Sequence, residues 1–124
     1  MRFALAALLL LMPAYAVAPI GGMWTWAGAQ GSDFQITVKE DGRKVWGDMT
    51  GTALKGARVS TGSFTGTRAG NVATLEWHFK DGDDVGPVAG SASLERVNRT
   101  LHWTLNYNGS QDCWFPRAAT LRRK

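Results

Sequence analysis

Cysteine is almost absent from this chain of 124 residues, since Cys113 is the only one. A single thiol cannot form an intramolecular disulfide, so the fold has to rest on a hydrophobic core rather than on cross-links. The neighbours of Cys113 are Trp114 and Phe115. These aromatic residues favour a buried, unreactive thiol, and a disulfide to another chain is the alternative.

Long hydrophobic runs are also absent. The longest, Phe3 to Met12, has ten residues, whereas a membrane-spanning helix needs about twenty. Met1-Arg2 places a positive charge before this run, and Ala14-Tyr15-Ala16 places small residues after it, at the positions that a signal peptidase reads. The pattern predicts a secretory signal peptide over residues 1–16 and no transmembrane segment.

Cleavage after residue 16 leaves residues 17–124, which is the size of one domain with one hydrophobic core. A second triplet of small residues ends at Ala18, so cleavage there is the alternative. Pro19 disfavours it, because proline is a poor residue just after the cut bond. Secreted domains without disulfides are commoner in bacteria than in animals. We therefore expect a bacterial protein of the periplasm or of the medium.

Acidic residues are fewer than basic ones: the chain has 10 Asp and Glu against 14 Lys and Arg, a formal net charge of +4. This balance permits attraction to peptidoglycan, lipid headgroups, nucleic acid or acidic proteins. The basic residues are spread along the chain, and the only runs are Arg43-Lys44 and Arg122-Arg123-Lys124. Runs this short are typical of a solvated surface, so we expect no nucleic acid partner.

Proline is scarce, with 4 residues, and glycine is abundant, with 15. Phe34 to Lys39 alternates apolar and polar residues strictly, which is the period of a half-buried strand. Asp41-Gly42 supplies the positive φ values that tight hairpin turns need. Alternation between such turn signals predicts eight short strands: Met23–Ala27, Phe34–Lys39, Lys44–Thr50, Val59–Arg68, Val72–Lys80, Val88–Glu95, Thr100–Tyr107 and Cys113–Leu121.

Eight sequential strands with hairpin links predict an all-β fold, a single small antiparallel meander. A meander of this size tends to close into an up-and-down β-barrel, because closure removes the exposed edges. A β-sandwich is the alternative. Trp77 and Trp103 align with aliphatic residues and are expected in the core. In the strand that contains Trp103, the alternation also places Leu105 and Tyr107 on the inward face.

The opening of this strand pattern resembles that of avidin-type barrels. The resemblance rests on Gly22-Met23-Trp24, Gly31-Ser32-Asp33-Phe34, Ile36-Thr37-Val38 and Asp41-Gly42, and the Gly-x-Trp element also opens lipocalins. It covers the first quarter of the chain and implies a β-barrel. Trp26-Ala27 stands where avidins keep an asparagine for biotin. The resemblance therefore extends to the architecture and not to biotin binding.

Histidine is rare, and His78 and His102 are the only two. Each stands between core residues of a predicted strand, so each side chain faces outward. One strand separates the two in a meander, which would allow their rings to lie near each other as a metal site or an acid/base pair. Metal sites need three or four ligands, and no Cys or carboxylate has ligand spacing to either histidine. Solvated histidines are the favoured interpretation, and no metal or cofactor is predicted.

Other catalytic signals are missing from the sequence. Asp81-Gly82-Asp83-Asp84 lacks the ligand spacing of an EF-hand calcium loop and predicts a turn. There is no G-x-S-x-G nucleophile elbow, and Cys113 has no histidine at the spacing of a cysteine protease. No carboxylate is expected within an apolar strand face, where burial would raise its pKa. The sequence therefore favours a protein without catalytic activity.

Tryptophan is abundant, with six residues, and Trp46 is the most informative of them. It shares a predicted strand face with Lys44 and Asp48. A large aromatic side chain on a polar face is typical of an anchor for a protein partner or a sugar ring. Trp114 is expected to face away from its two neighbours. The candidate binding residues are Trp46, Lys44, Asp48, Trp114, His78 and His102.

These observations favour a secreted or periplasmic binding protein that recognises another envelope or secreted protein, as an inhibitor or immunity protein does. A loop such as Lys80 to Pro87 or Asn108 to Asp112 would plug the active site of the target. The first alternative is a small-ligand carrier, with the Thr-, Ser- and Gly-rich strand Val59 to Arg68 lining the barrel interior. The second is a small envelope hydrolase that uses His78 or His102.

Overall fold

The computed structural model describes residues 18–53, 56, 58–80, 87–109 and 114–124. The predicted signal peptide, the acidic turn at residues 81–84 and Cys113 lie outside the described residues. So do the central parts of the two loops that were expected to plug a target.

Eight strands follow one another along the chain. They are β1 (Gly22–Ala27), β2 (Asp33–Asp41), β3 (Lys44–Ala53), β4 (Arg58–Ala69), β5 (Val72–Lys80), β6 (Pro87–Val97), β7 (Thr100–Asn108) and β8 (Ala118–Arg123). Each strand pairs antiparallel with the next, and β8 pairs with β1, so that the sheet closes into a barrel. The predicted all-β meander and its closure are confirmed, and the sandwich alternative is wrong.

The two ends of the barrel differ in their connections. At one end, two-residue turns join β2 to β3, β4 to β5 and β6 to β7, and the first turn residue has a positive φ in each: Gly42 (60°), Gly70 (61°) and Asn98 (53°). We call this the turn end. It also receives residues 18–21 and the end of β8. The longer connections lie at the opposite end, which we call the loop end.

Side chains fill the interior of the barrel. Inward positions alternate with outward ones along the described strands, as the period of two requires, except at one position of β7. The buried core is one cluster, formed by Ile20, Trp24, Phe34, Ile36, Val38, Val45, Met49, Phe64, Ala73, Leu75, Trp77, Ala92, Leu94, Leu101, Trp103, Phe115, Ala119 and Leu121. Trp77 and Trp103 stack within it with ring centroids 5.9 Å apart, which confirms their predicted place in the core.

Tyr107 is the first correction to the strand pattern. Its side chain is 60% exposed and faces outward, although alternation from Trp103 predicts an inward position. The register shifts between β6 and β7, because Ser91 pairs with Tyr107 while Ala92 pairs with Leu105. The extra residue in β7 is a β-bulge, and a bulge reverses the face on which every later side chain lies.

The last strand is the second correction. It was expected from Cys113, but β8 begins at Ala118. The preceding residues Trp114–Pro116 form no strand, and Phe115 inserts into the core at the loop end. The Nε1–H group of Trp103 donates to the carbonyl of Pro116 at 2.7 Å. This hydrogen bond and the burial of Phe115 tie the segment across the barrel end.

Candidate functional site

Trp46 lies on the outer surface of β3, as the sequence predicts. Val45, Gly47 and Met49 point inward, and the side chain of Trp46 is half-buried between Lys39 of β2 and Thr65 of β4. Gly47 allows β2 and β3 to approach closely beside Trp46, because a Cβ atom at that position would lie 1.9 Å from the carbonyl oxygen of Thr37. The indole is therefore held on a rigid wall rather than on a loop.

Lys44 and Asp48 are exposed on the same face as Trp46. Asp48 accepts a hydrogen bond from the hydroxyl of Ser63 at 3.1 Å. A shallow groove of about 380 Å³ lies beside the indole and is lined by Asp41, Lys44, Trp46 and Thr65. Three of the predicted binding residues thus form one surface, an aromatic side chain flanked by both signs of charge. We call the residues Lys39, Lys44, Trp46, Asp48 and Thr65 the β3 patch.

The two histidines are not brought together. One strand does separate them, but His78 pairs with Ala89 of β6, whereas His102 pairs with Glu95 of the same strand. Six residues along a strand correspond to about 20 Å. The expectation that the rings could lie near each other is wrong, because the hairpin register, and not the strand order, sets their separation.

Each histidine lines a different groove. His78 is exposed and lies with Glu76 and Tyr107 in a groove of about 390 Å³. His102 is half-buried and lies beside Trp26 and Thr120 near the β1–β8 seam. Neither position gives the pair of facing imidazoles that the acid/base interpretation requires.

Trp114 lies apart from the β3 patch, at the loop end. Its backbone N–H donates to the Ser60 hydroxyl at 2.7 Å, and its ring lies against Gly51. Trp46 and Gly51 are five residues apart on β3, a separation of about 17 Å. Trp114 is half-buried and helps to hold the chain across the barrel end, so its contacts are structural.

Sequence reasoning missed a layer of four charged residues at the turn end. They occupy the last inward position of each even-numbered strand: Glu40 of β2, Arg68 of β4, Arg96 of β6 and Arg123 of β8. Inward positions of alternate strands form one layer of a barrel, so the four side chains converge. The expectation that no carboxylate stands on an apolar face is wrong, since Glu40 continues the buried series Phe34, Ile36 and Val38.

This layer binds the main chain of residues 18–21. One carboxylate oxygen of Glu40 accepts the N–H groups of Ile20, at 2.6 Å, and Gly21, and the other accepts from the Arg68 guanidinium at 2.8 Å. Arg68 is buried, with a side-chain exposure of 5%, and also donates to the carbonyl of Ala18. We call the four charged side chains together with residues 18–21 the N-terminal latch.

Arg96 and Arg123 complete the latch. Both donate to the carbonyl of Pro19, and Arg123 also donates to the carbonyl of Gly21 at 2.6 Å. Their guanidinium carbons lie 5.3 and 4.3 Å from the ring centroid of Trp24, which is the range of cation–π attraction. Burial, together with the positive charges of Arg123 and Arg68, lowers the pKa of Arg96 from its usual value. The latch thus holds three cations against one carboxylate.

One sequence signal identifies the latch. Arg68, Arg96 and Arg123 each follow inward residues at the period of two, and a charged residue at such a position is either buried with partners or placed at a barrel mouth. Each of the three arginines stands next to a turn or near the end of β8, where arginines are usually solvated. Their inward positions are therefore easily overlooked in the sequence. Only the closure of the barrel shows that the three positions share one layer.

Within the described part of the chain, no group of three or more metal-ligating side chains is present. The same residues contain no helix that is long and apolar enough to cross a membrane. Comparisons with protein-family models, with curated proteins and with solved structures find no match to this chain. The function is therefore argued from the geometry of the barrel surface.

Proposed function

We propose that this protein is a non-catalytic binding protein of the periplasm or the medium, which recognises another envelope or secreted protein through the β3 patch. The observation that carries the proposal is Trp46, a half-buried indole on the outer wall of a closed barrel. Tryptophan is enriched among the residues that dominate the energy of protein interfaces. A rigid wall also reduces the ordering entropy that binding costs.

The charged neighbours of Trp46 suit a protein partner. Lys39 lies opposite Trp46 on β2, and Lys44 and Asp48 lie on either side of it along β3, so the indole is surrounded by charges that can pair with a complementary surface. Such charges act mainly on specificity and association rate, while the buried aromatic contact supplies affinity. This division of roles is what an inhibitor or immunity protein requires.

The alternatives receive less support. A small-ligand carrier needs space inside the barrel, but most inward positions of the described strands belong to the core cluster or pack against it. The Val59–Arg68 segment, expected to give a polar lining, contributes Phe64 to that cluster and Arg68 to the latch. A hydrolase would have to use His78 or His102 alone, because about 20 Å of strand separates the two histidines.

The test is affinity capture with the purified protein as immobilised bait against envelope and secreted extracts. We expect one protein to be recovered in equal amount. Trp46→Ala should reduce its recovery at least tenfold, because a central aromatic anchor contributes about 2 kcal/mol or more. Circular dichroism of the variant should match that of the parent protein, since the side chain is only half-buried.

Tyr107→Ala is the matched control, because Tyr107 is also an outward aromatic residue of the wall but lies on β7 near the loop end. Its loss should leave capture unchanged. Equal loss of capture with both variants would show that any exposed aromatic contributes and would refute the β3 patch. Recovery of no partner, with a small molecule co-purifying instead, would favour the carrier.

A further inference from the structure

The turn end concentrates most of the positive charge of the chain. Of the 14 basic residues, eight lie there, against three acidic residues, Glu40, Asp41 and Glu95. The eight are Arg43, Lys44, Arg68, Arg96, Arg99, Arg122, Arg123 and Lys124. Runs that look short and scattered in the sequence are thus assembled into one surface, because three hairpin turns and the end of β8 meet at the same end of the barrel.

Most of these cations are exposed and lack a carboxylate partner. Arg43, Lys44, Arg99, Arg122, Arg123 and Lys124 are all exposed. Among the described side chains, the ion pair of Glu40 with Arg68 is the only one. The single carboxylate of the latch is therefore already engaged, and Asp41 and Glu95 form no ion pair with the surrounding cations of the described chain.

The exposed cations are distributed around the rim of the barrel. They occupy the β2–β3 turn, the β6–β7 turn and the end of β8, which lies beside the start of β1. Two apolar side chains, Met23 and Val72, are each 38% exposed close to the same end. A plane laid across this end can contact all three groups of cations, whereas a compact partner on one side of the barrel can contact only one or two.

We propose that the turn end docks on the surface of an anionic phospholipid bilayer, with the barrel axis perpendicular to the membrane and with Trp46 and Asp48 of the β3 patch on the flank. A bilayer is a planar anionic surface, and it matches the annular arrangement of these cations. Basic residues close to such a surface are attracted by its negative potential, which falls off within about one Debye length. Met23 and Val72 can enter the headgroup region at the rim. This inference does not depend on the protein partner proposed above.

The experiment is sedimentation of the purified protein with vesicles of phosphatidylcholine alone and of phosphatidylcholine with about one-third phosphatidylglycerol. We expect binding to the anionic vesicles only, and at least a threefold weaker partition when the ionic strength is raised from about 0.05 to 0.15 M. Each basic residue near the surface should contribute about fivefold to the partition coefficient. Arg99→Glu should therefore reduce binding by fivefold or more.

Arg117→Glu is the matched control. It changes the net charge by the same amount, but Arg117 is exposed at the loop end, before β8. We expect its binding to remain within twofold of the parent protein. Equal loss with both variants would show that net charge alone drives association and would overturn the docking surface.

Two further outcomes would also overturn the inference. One is equal binding to vesicles with and without phosphatidylglycerol. The other is that the turn end binds an acidic protein and not a bilayer. It would appear as binding to immobilised polyglutamate that Arg99→Glu weakens, together with no binding to anionic vesicles.

Discussion

A short segment of chain closes each end of the barrel, and the two segments are held by different kinds of contact. At the loop end, Phe115 inserts into the core, and the carbonyl of Pro116 accepts the indole N–H of Trp103. At the turn end, Ile20 inserts and its carbonyl accepts the indole N–H of Trp24 at 2.9 Å. Each closing segment buries one hydrophobic side chain and accepts a hydrogen bond from the indole of one core tryptophan.

The surroundings of the two segments differ. Aromatic rings surround Phe115, with Phe34 and Trp77 at centroid distances of 6.1 and 5.6 Å. Charged groups surround residues 18–21, through Glu40 and the three latch arginines. Apolar contacts carry no charge for salt to screen, whereas an excess of like charge is screened by salt. The stability that each closing segment contributes should therefore respond differently to added salt.

Among the charged groups of the barrel ends, the largest expected effect is the loss of the latch carboxylate. Glu40→Gln keeps the shape of the side chain but leaves three guanidinium groups without a negative charge. Breaking a buried ion pair in this way costs about 3 to 5 kcal/mol. Because Glu40 is 22% exposed, we expect the free energy of unfolding, measured by urea denaturation, to fall by about 2 to 4 kcal/mol.

Salt and a second variant sharpen this test. Added salt should restore part of the stability of Glu40→Gln, because it screens the remaining repulsion. Phe115→Ala, which costs about 3 to 5 kcal/mol by removing a buried aromatic ring, should show no such recovery relative to the parent protein. If both variants respond to salt alike, the two closures do not differ as described.

A smaller effect is expected from shortening the N-terminal latch. A chain that starts at Pro19 lacks the Ala18 carbonyl that accepts from buried Arg68, and it places a charged amino group beside the latch arginines. A chain that starts at Val17 keeps the carbonyl. We expect the shorter chain to be less stable by about 1 to 3 kcal/mol. Thermal unfolding of the two chains measures the difference, and equal midpoints would refute the role of Ala18.

The smallest expected effect distinguishes two stacked tryptophans. Trp103 Nε1–H donates to Pro116, whereas Trp77 Nε1–H is buried without a partner among the described residues. Trp103→Phe leaves the Pro116 carbonyl unpaired, but Trp77→Phe removes a donor that is already unsatisfied. We expect Trp103→Phe to be the more destabilising by about 1 kcal/mol. A greater loss for Trp77→Phe in urea denaturation would contradict this assignment.

Much of the fold follows from local periodicity. Alternation of apolar and polar residues predicts the strands, and the predicted boundaries of Val72–Lys80 agree with β5. The outward position of Trp46 follows from the same rule. Prediction fails where a single residue changes the face, as at Tyr107 after the β7 bulge. It also fails at Phe115, where an apolar residue that looks like part of a strand leaves the sheet to fill the barrel end.

The candidate site is predictable only in part. Lys44, Trp46 and Asp48 lie on one strand, so the sequence brings them together by spacing alone. The distance between His78 and His102 depends on the register of two hairpins, and a sequence of short strands does not specify that register. Trp114 depends on the path of a loop, and the structure places it about 17 Å along β3 from Trp46.

The sequence by itself determined that this chain is an antiparallel β meander, because hydrophobic alternation and turn residues act over a few neighbouring positions. Tertiary structure alone decided which distant residues meet. Closure of the barrel brought one inward position from each of four alternate strands into a layer, so that Glu40, Arg68, Arg96 and Arg123 converge on residues 18–21. The reason is geometric: closure and register are set by the sheet as a whole, and no local pattern encodes them.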